Sequence, residues 1–94
     1  MRAIDINRRY RQCAIYCVTK GRKNDGRNHI TWDELEKTFG IGWESLTNEL
    51  KTHGILHGSV GYMYLTKQWA VMSAQEQIEE IKKIYPYPNR IEEH

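Results

Sequence analysis

The sequence predicts a mostly helical α+β fold: a three-helix core, a short β-hairpin and one additional helix near the C-terminus. Three observations carry that expectation. Apolar residues recur at helical spacing over 5–20, 31–39, 43–53 and 73–85. Two of those segments open on a Ser/Thr-x-x-Glu capping box. Between the third and fourth lies 55–66, where two short apolar runs flank Gly58-Ser59-Val60-Gly61, a hairpin tip. A chain of 94 residues reads as a single domain over 1–94, small enough that most large apolar side chains are needed for its core.

Asp5 is a candidate cap for a first helix beginning at Ile6, with Ile6, Tyr10, Cys13, Ala14 and Cys17 on one face. Ile15 and Val18 widen that stripe, and the helix is expected to stop near Lys20-Gly21. Residues 21–28 read as a loop, because two glycines, two asparagines and an Asp-Gly pair all favour turns. His29-Ile30 reads as a very short strand. Thr31 and Glu34 form the first capping box, with Leu35 and Phe39 facing inward and Gly40 as a left-handed stop. Ile41-Gly42 makes a tight connection to the third helix, in which Leu46 and Leu50 face inward and which Gly54 ends. Ile55-Leu56 starts a strand, and Tyr62 to Thr66 returns it with Met63 and Leu65 on one face. Ser73 and Glu76 form the second capping box, and Pro86 and Pro88 end the helix it opens. That helix carries Ile78, Ile81 and Tyr85 on one stripe with Ile84 beside it. The stripe needs cover. Pairing with its twin in a homodimer is the expectation, and packing within the chain is the alternative. Trp32 is expected as a staple at the start of the second helix and Trp69 as core, while Trp43 is open between packing and binding.

Composition narrows the class. With 39% hydrophobic and 28% charged residues the chain is globular rather than disordered. No apolar run approaches the ~20 residues that span a bilayer, so no membrane partner is expected. The N-terminal segment lacks the apolar run of a secretory signal. Cys13 and Cys17 lie on neighbouring helical turns, where a disulfide would crosslink almost nothing, so two reduced core thiols are expected. Both points lead to an expected cytoplasmic location. Charge is unevenly spread: residues 1–31 hold eight Lys/Arg against Asp5 and Asp25, whereas residues 32–56 hold Lys37 and Lys51 against five acids. The basic first third points to an anionic partner, of which nucleic acid is the commonest.

Residues 31–66 resemble the winged helix-turn-helix family. The resemblance rests on Leu35 and Phe39, on Gly40-Ile41 in the turn, and on the run L-x-x-x-L-x-x-x-G-I-L from Leu46 through Leu50 to Gly54-Ile55-Leu56. With 5–30 as the first helix and its loop, it covers roughly three quarters of the chain. The resemblance implies a third helix lying in the DNA major groove, a wing beside it, and transcription regulation as the role, with no cofactor. A free-standing domain of this size suits a phage or mobile-element regulator. The implied reading face is Trp43, Glu44, Ser45, Thr47, Asn48, Lys51 and Thr52. Asn48 has the amide that pairs bidentately with adenine, and Ser45, Thr47, Thr52 and Lys51 have groups for phosphates or bases. No arginine lies on this helix, while Glu44 and Glu49 do, and a carboxylate beside a phosphate is repelled. A solvated or protein-docking face is therefore the competing reading.

Arg8, Arg9, Arg11, Arg22, Lys23 and Arg27 are candidates for phosphate neutralisation, against a solvated basic face. Tyr62, Tyr64 and Lys67 on the wing are candidates for backbone contact, against half-buried sheet tyrosines. Cys13, Cys17, His53 and His57 have the residue types of a zinc site. However, the cysteines fit the apolar face of the first helix and Gly54 separates the histidines, so no metal is expected. No motif sets a nucleophile beside a base, so no enzymatic activity is expected. The rival to DNA binding is an interaction module that docks on a host protein, which the acidic third helix favours.

Overall fold

The computed structural model describes residues 3–23 and 29–86, with side chains for 6–21 and 29–86. The fold is α+β. In chain order come α1 (Ala3–Lys23), β1 (His29–Thr31), α2 (Trp32–Phe39), a 3-10 turn (Gly40–Gly42), α3 (Trp43–Thr52), β2 (Leu56–Gly58), β3 (Tyr62–Leu65), α4 (Lys67–Ala70) and α5 (Ala74–Ile84).

Helix α1 is the spine of the core. Cys13, Ala14, Cys17 and Val18 are buried along one side, at the spacing that places them on adjacent turns. It exceeds the expected 5–20 at both ends. The helix is already formed at Ala3, so Asp5 lies inside it and is not its cap. It also runs through Gly21 to Lys23, into the segment expected as loop. Glycine costs a helix about 1 kcal/mol relative to alanine, but Gly21 is buried, so packing outweighs that propensity. Residues 24–28 of the expected loop and the expected frayed end 89–94 lie outside the described residues.

The capping box of α2 is formed on both sides. The Thr31 hydroxyl accepts from the Glu34 N–H at 3.2 Å, and the Thr31 N–H donates to Glu34 Oε2 at 2.8 Å. Such a cap contributes about 1 kcal/mol. Leu35 is buried, and Phe39 meets Tyr16 edge-on at 5.5 Å. Gly40 has the positive φ expected of a stop, but with φ 78° and ψ −159° it is not in the left-handed helical well. It occupies a region that essentially only glycine reaches. The chain then makes one 3-10 turn into α3, whose Leu46, Thr47 and Leu50 are buried. Gly54, at φ 73°, lets the chain leave α3 toward the hairpin.

The three strands form an antiparallel sheet of order β1-β3-β2, with β1 added to the far side of the hairpin. Ile30 lies opposite Met63 and Leu56 opposite Leu65, and all four are buried on the inner face. His29, Tyr62, Tyr64 and His57 occupy the outer face, as the period of two requires. The single-turn α4 was not anticipated. At four residues it is too short for a periodicity to register, yet it seats Trp69 in the core.

The second capping box opens α5: the Glu76 N–H donates to Ser73 Oγ at 3.1 Å and the Ser73 N–H to Glu76 Oε1 at 2.8 Å. The buried Gln77 side chain donates to the Trp69 carbonyl at 2.8 Å, tying α5 to α4. The apolar stripe of α5 is covered within the chain. Ile81 and Tyr85 are buried, and Ile78 and Ile84 are partly buried against the same core. The Tyr85 ring packs 5.3 Å from that of Tyr10 on α1, and Asn7 donates to the Pro86 carbonyl at 2.8 Å. Of the stripe expected to pair with a second copy, Ile81 and Tyr85 are thus covered by packing within the chain, the alternative to the dimer, while Ile78 and Ile84 remain partly exposed. Among the described residues no helix is long and apolar enough to cross a membrane.

Candidate nucleic-acid interface

Helix α3 is held from behind by Leu46, Thr47 and Leu50, which leaves its opposite side outward. Glu44, Ser45, Asn48, Lys51 and Thr52 are exposed there, and Trp43 is half-buried at the first turn. Thr47 is a correction: its hydroxyl is buried and donates to the Glu44 carbonyl at 3.1 Å, so it faces the core. It lies one residue past Leu46, and the buried arc is wide enough to include it. Thr52 donates to the Asn48 carbonyl at 3.0 Å, a bond that leaves the Asn48 amide unengaged. Lys51 leans toward the hairpin, with its ammonium 3.4 Å from the point where a Cβ on Gly58 would stand. Helix and hairpin thus present one surface.

The basic candidates separate. Arg9 is exposed, and its guanidinium donates to the Phe39 carbonyl at 3.4 Å, which places a cation beside the α2–α3 turn. Arg8 is half-buried on the same helix. Arg11 is a second correction. It is 8% exposed and donates to the Tyr85 carbonyl at 3.1 Å, so it caps the end of α5 instead of facing solvent. Arg22 and Lys23 lie in the last turn of α1, but their side chains, and Arg27 altogether, lie outside the described residues. Lys67 is exposed at the start of α4.

The two acids of α3 differ in role. Glu44 is exposed and makes no ion pair among the described residues. Glu49 faces α5: its Oε2 lies 2.9 Å from His53 Nε2 and accepts from the Tyr85 hydroxyl at 3.4 Å. Burial, and then the Glu49 charge, push the Tyr85 hydroxyl well above its ordinary range. A similar group joins α1 to α2. The Tyr16 hydroxyl donates to Glu34 Oε1 at 2.8 Å and the Lys20 ammonium lies 3.2 Å from the same oxygen. Burial raises the Glu34 carboxyl, but bonds from the Thr31 backbone, Tyr16 and Lys20 outweigh it and hold the group below its ordinary value.

Cys13 and Cys17 are free and buried, and a hydrogen bond that the Cys17 thiol makes to Cys13, with burial, pushes that thiol well above its ordinary range. His53 is turned to Glu49, and His57 meets Tyr64 on the outer sheet face at 5.1 Å. Among the described residues, no three His, Cys, Asp or Glu side chains come together as a metal site.

Two features escaped the sequence reading. The outer sheet face is a row of rings: His29 to Tyr62 at 4.3 Å, Tyr62 to Tyr64 at 6.2 Å, then His57. Alternation around Met63 gave half of that row, but the histidines required the strand register. Exposed apolar groups also gather near the two helix starts. Ile41 is 96% exposed in the turn and Val60 is 89% exposed at the hairpin tip. Trp32 is 40% exposed; its ring lies 6.1 Å from that of Trp43, and its backbone N–H donates to the Gly61 carbonyl at 3.0 Å. No protein-family model, curated protein or solved structure matches the chain.

Proposed function

We propose that the chain is a winged helix-turn-helix protein that binds double-stranded DNA and regulates transcription, with α3 as its reading helix and the β2–β3 hairpin as its wing. The observation that carries this reading is the outward face of α3. An unengaged Asn48 amide, with Ser45, Lys51 and Thr52 around it, stands on a helix whose other side is anchored by Leu46 and Leu50. A helix held this way fits the major groove, and an amide is the group that pairs with both hydrogen-bonding positions of adenine. Three further facts support it: the order of helices, the strand order β1-β3-β2, and the Arg9 guanidinium beside the turn, placed for a phosphate. The role is binding and not catalysis.

A gel shift on random-sequence duplex at two salt concentrations tests it. Binding at low salt that weakens with salt, by a slope of about 0.9 per phosphate contacted, is the expected result. Absence of any shift at low salt would refute it. One observation favours a second reading, a module that docks on another protein: Ile41 and Trp32 stand exposed, and Glu44 on α3 is exposed with no ion pair among the described residues. Apolar groups rimmed by charge mark protein interfaces. In that case the same gel shift is empty, and Ile41→Ser weakens association with the protein partner.

A further inference from the structure

The end of α3, α4 and α5 border an open cleft of about 290 Å³ lined by His53, Gln68, Trp69, Met72, Glu80 and Ile84. None of these residues belongs to the outward face of α3. The volume is at the lower end of the ~300–1,000 Å³ of small-molecule sites and roughly twice that of a cavity that holds benzene. A body of one ring therefore has room.

The lining divides by chemistry. Trp69 is buried, and Met72 and Ile84 are half-buried, so the floor is apolar. The Trp69 carbonyl adds no polarity, because Gln77 already occupies it. The rim offers acceptors. His53 is bound to Glu49 through Nε2 at 2.9 Å, so in the neutral ring the proton sits there and Nδ1 accepts. The Gln68 amide has no hydrogen bond among the described residues and offers its carbonyl. Glu80 meets one cation, the Lys83 ammonium, 3.9 Å from Oε1 and largely exposed. A carboxylate and two acceptors above an apolar floor match a cation with an apolar body.

We propose that this cleft binds a small primary amine carrying one aromatic ring or an apolar group of similar size. The ammonium sits on Glu80 within reach of His53 and Gln68, and the ring rests on Trp69, Met72 and Ile84. Such a ligand bridges the C-terminal end of α3 to α5. The binding readout requires no DNA, so the site stands whether or not α3 reads a groove.

An NMR titration of the whole chain tests the assignment, with 2-phenylethylamine as probe and 2-phenylethanol and 3-phenylpropanoate as neutral and anionic comparators. The amine is expected to give saturable amide shifts confined to His53, 68–72 and 80–84, and to bind more tightly than the alcohol, with the carboxylate weakest. Glu80→Gln, at a partly exposed position that leaves the core intact, should weaken the amine about tenfold, as for loss of a charge-assisted bond, and leave the alcohol unchanged. Met72→Trp, which fills the cleft from its half-buried edge, should abolish binding of both. Absence of saturable shifts with the amine, equal affinity for all three probes, or an unchanged amine affinity in Glu80→Gln or Met72→Trp would each overturn the proposal.

Discussion

Replacing Leu50 by alanine tests whether α3 is held as described. Leu50 is fully buried on the inner side of that helix. The change removes three carbons. At about 0.8 kcal/mol for each buried methylene, the transfer loss is roughly 2.4 kcal/mol. The cavity left behind adds to it, and buried leucines truncated in this way cost about 2–5 kcal/mol in all. A domain of this length is expected to be stable by roughly 5–14 kcal/mol, so the loss is a large share of the total. The melting temperature should fall by at least about 10 °C. The assay is equilibrium urea unfolding followed by far-ultraviolet circular dichroism, with Ser45→Ala as the comparison. Ser45 is on the same helix but faces outward, and its change should stay within about 0.5 kcal/mol of wild type. A Leu50→Ala protein as stable as Ser45→Ala would refute the inward assignment of α3.

Other measurements probe separate contacts. The Glu34 carboxyl is held below its ordinary value of 4.5 in the folded protein. Its contribution is therefore present above that pH and is lost as pH falls through the lower folded value. Glu34→Gln should be less stable than wild type at neutral pH, and the difference should shrink on acidification below 4.5; a difference independent of pH would contradict the bonding described. Because α1 covers Ile81 and Tyr85, light scattering at micromolar concentration should return a monomer mass, and a dimer mass would point to some other surface. The two core thiols should react with a thiol reagent only at the rate of unfolding, since both are buried and the Cys17 thiol resists ionisation. Rapid native labelling would place them elsewhere.

The legible parts of the fold were those fixed by local chemistry. Both capping boxes rest on residues three apart, and the sequence displays them whole. The buried faces of α2 and α3, and the alternation around Met63, follow from spacing alone. What was hidden depends on contacts distant in the chain. Helix α1 continues through Gly21 because the surrounding fold buries it. Arg11 resembles any surface arginine until the Tyr85 carbonyl, 74 residues away, is placed beside it. Thr47 occupies a position that a narrow helical face leaves exposed, and only the breadth of the buried arc turns it inward. The stripe on α5 was visible, but its cover was not, since the choice between α1 and a second copy turns on the path of the chain. The same holds at the candidate interface. Asn48 and Lys51 were readable from helical spacing, whereas the separation of Glu49 from Glu44 required α5 to be in position.

The most direct test of α3 as a reading helix is the affinity of Asn48→Ala for a preferred duplex, selected from a random pool, relative to random DNA, with Arg9→Ala measured beside it. An adenine edge differs from base pair to base pair, while a phosphate does not. Asn48→Ala should lose about 1–3 kcal/mol on the preferred site and almost nothing on random DNA. Arg9→Ala should weaken both alike and flatten the salt slope by about one unit. If Asn48→Ala binds the preferred and random duplexes with the wild-type ratio, α3 does not read DNA through that amide.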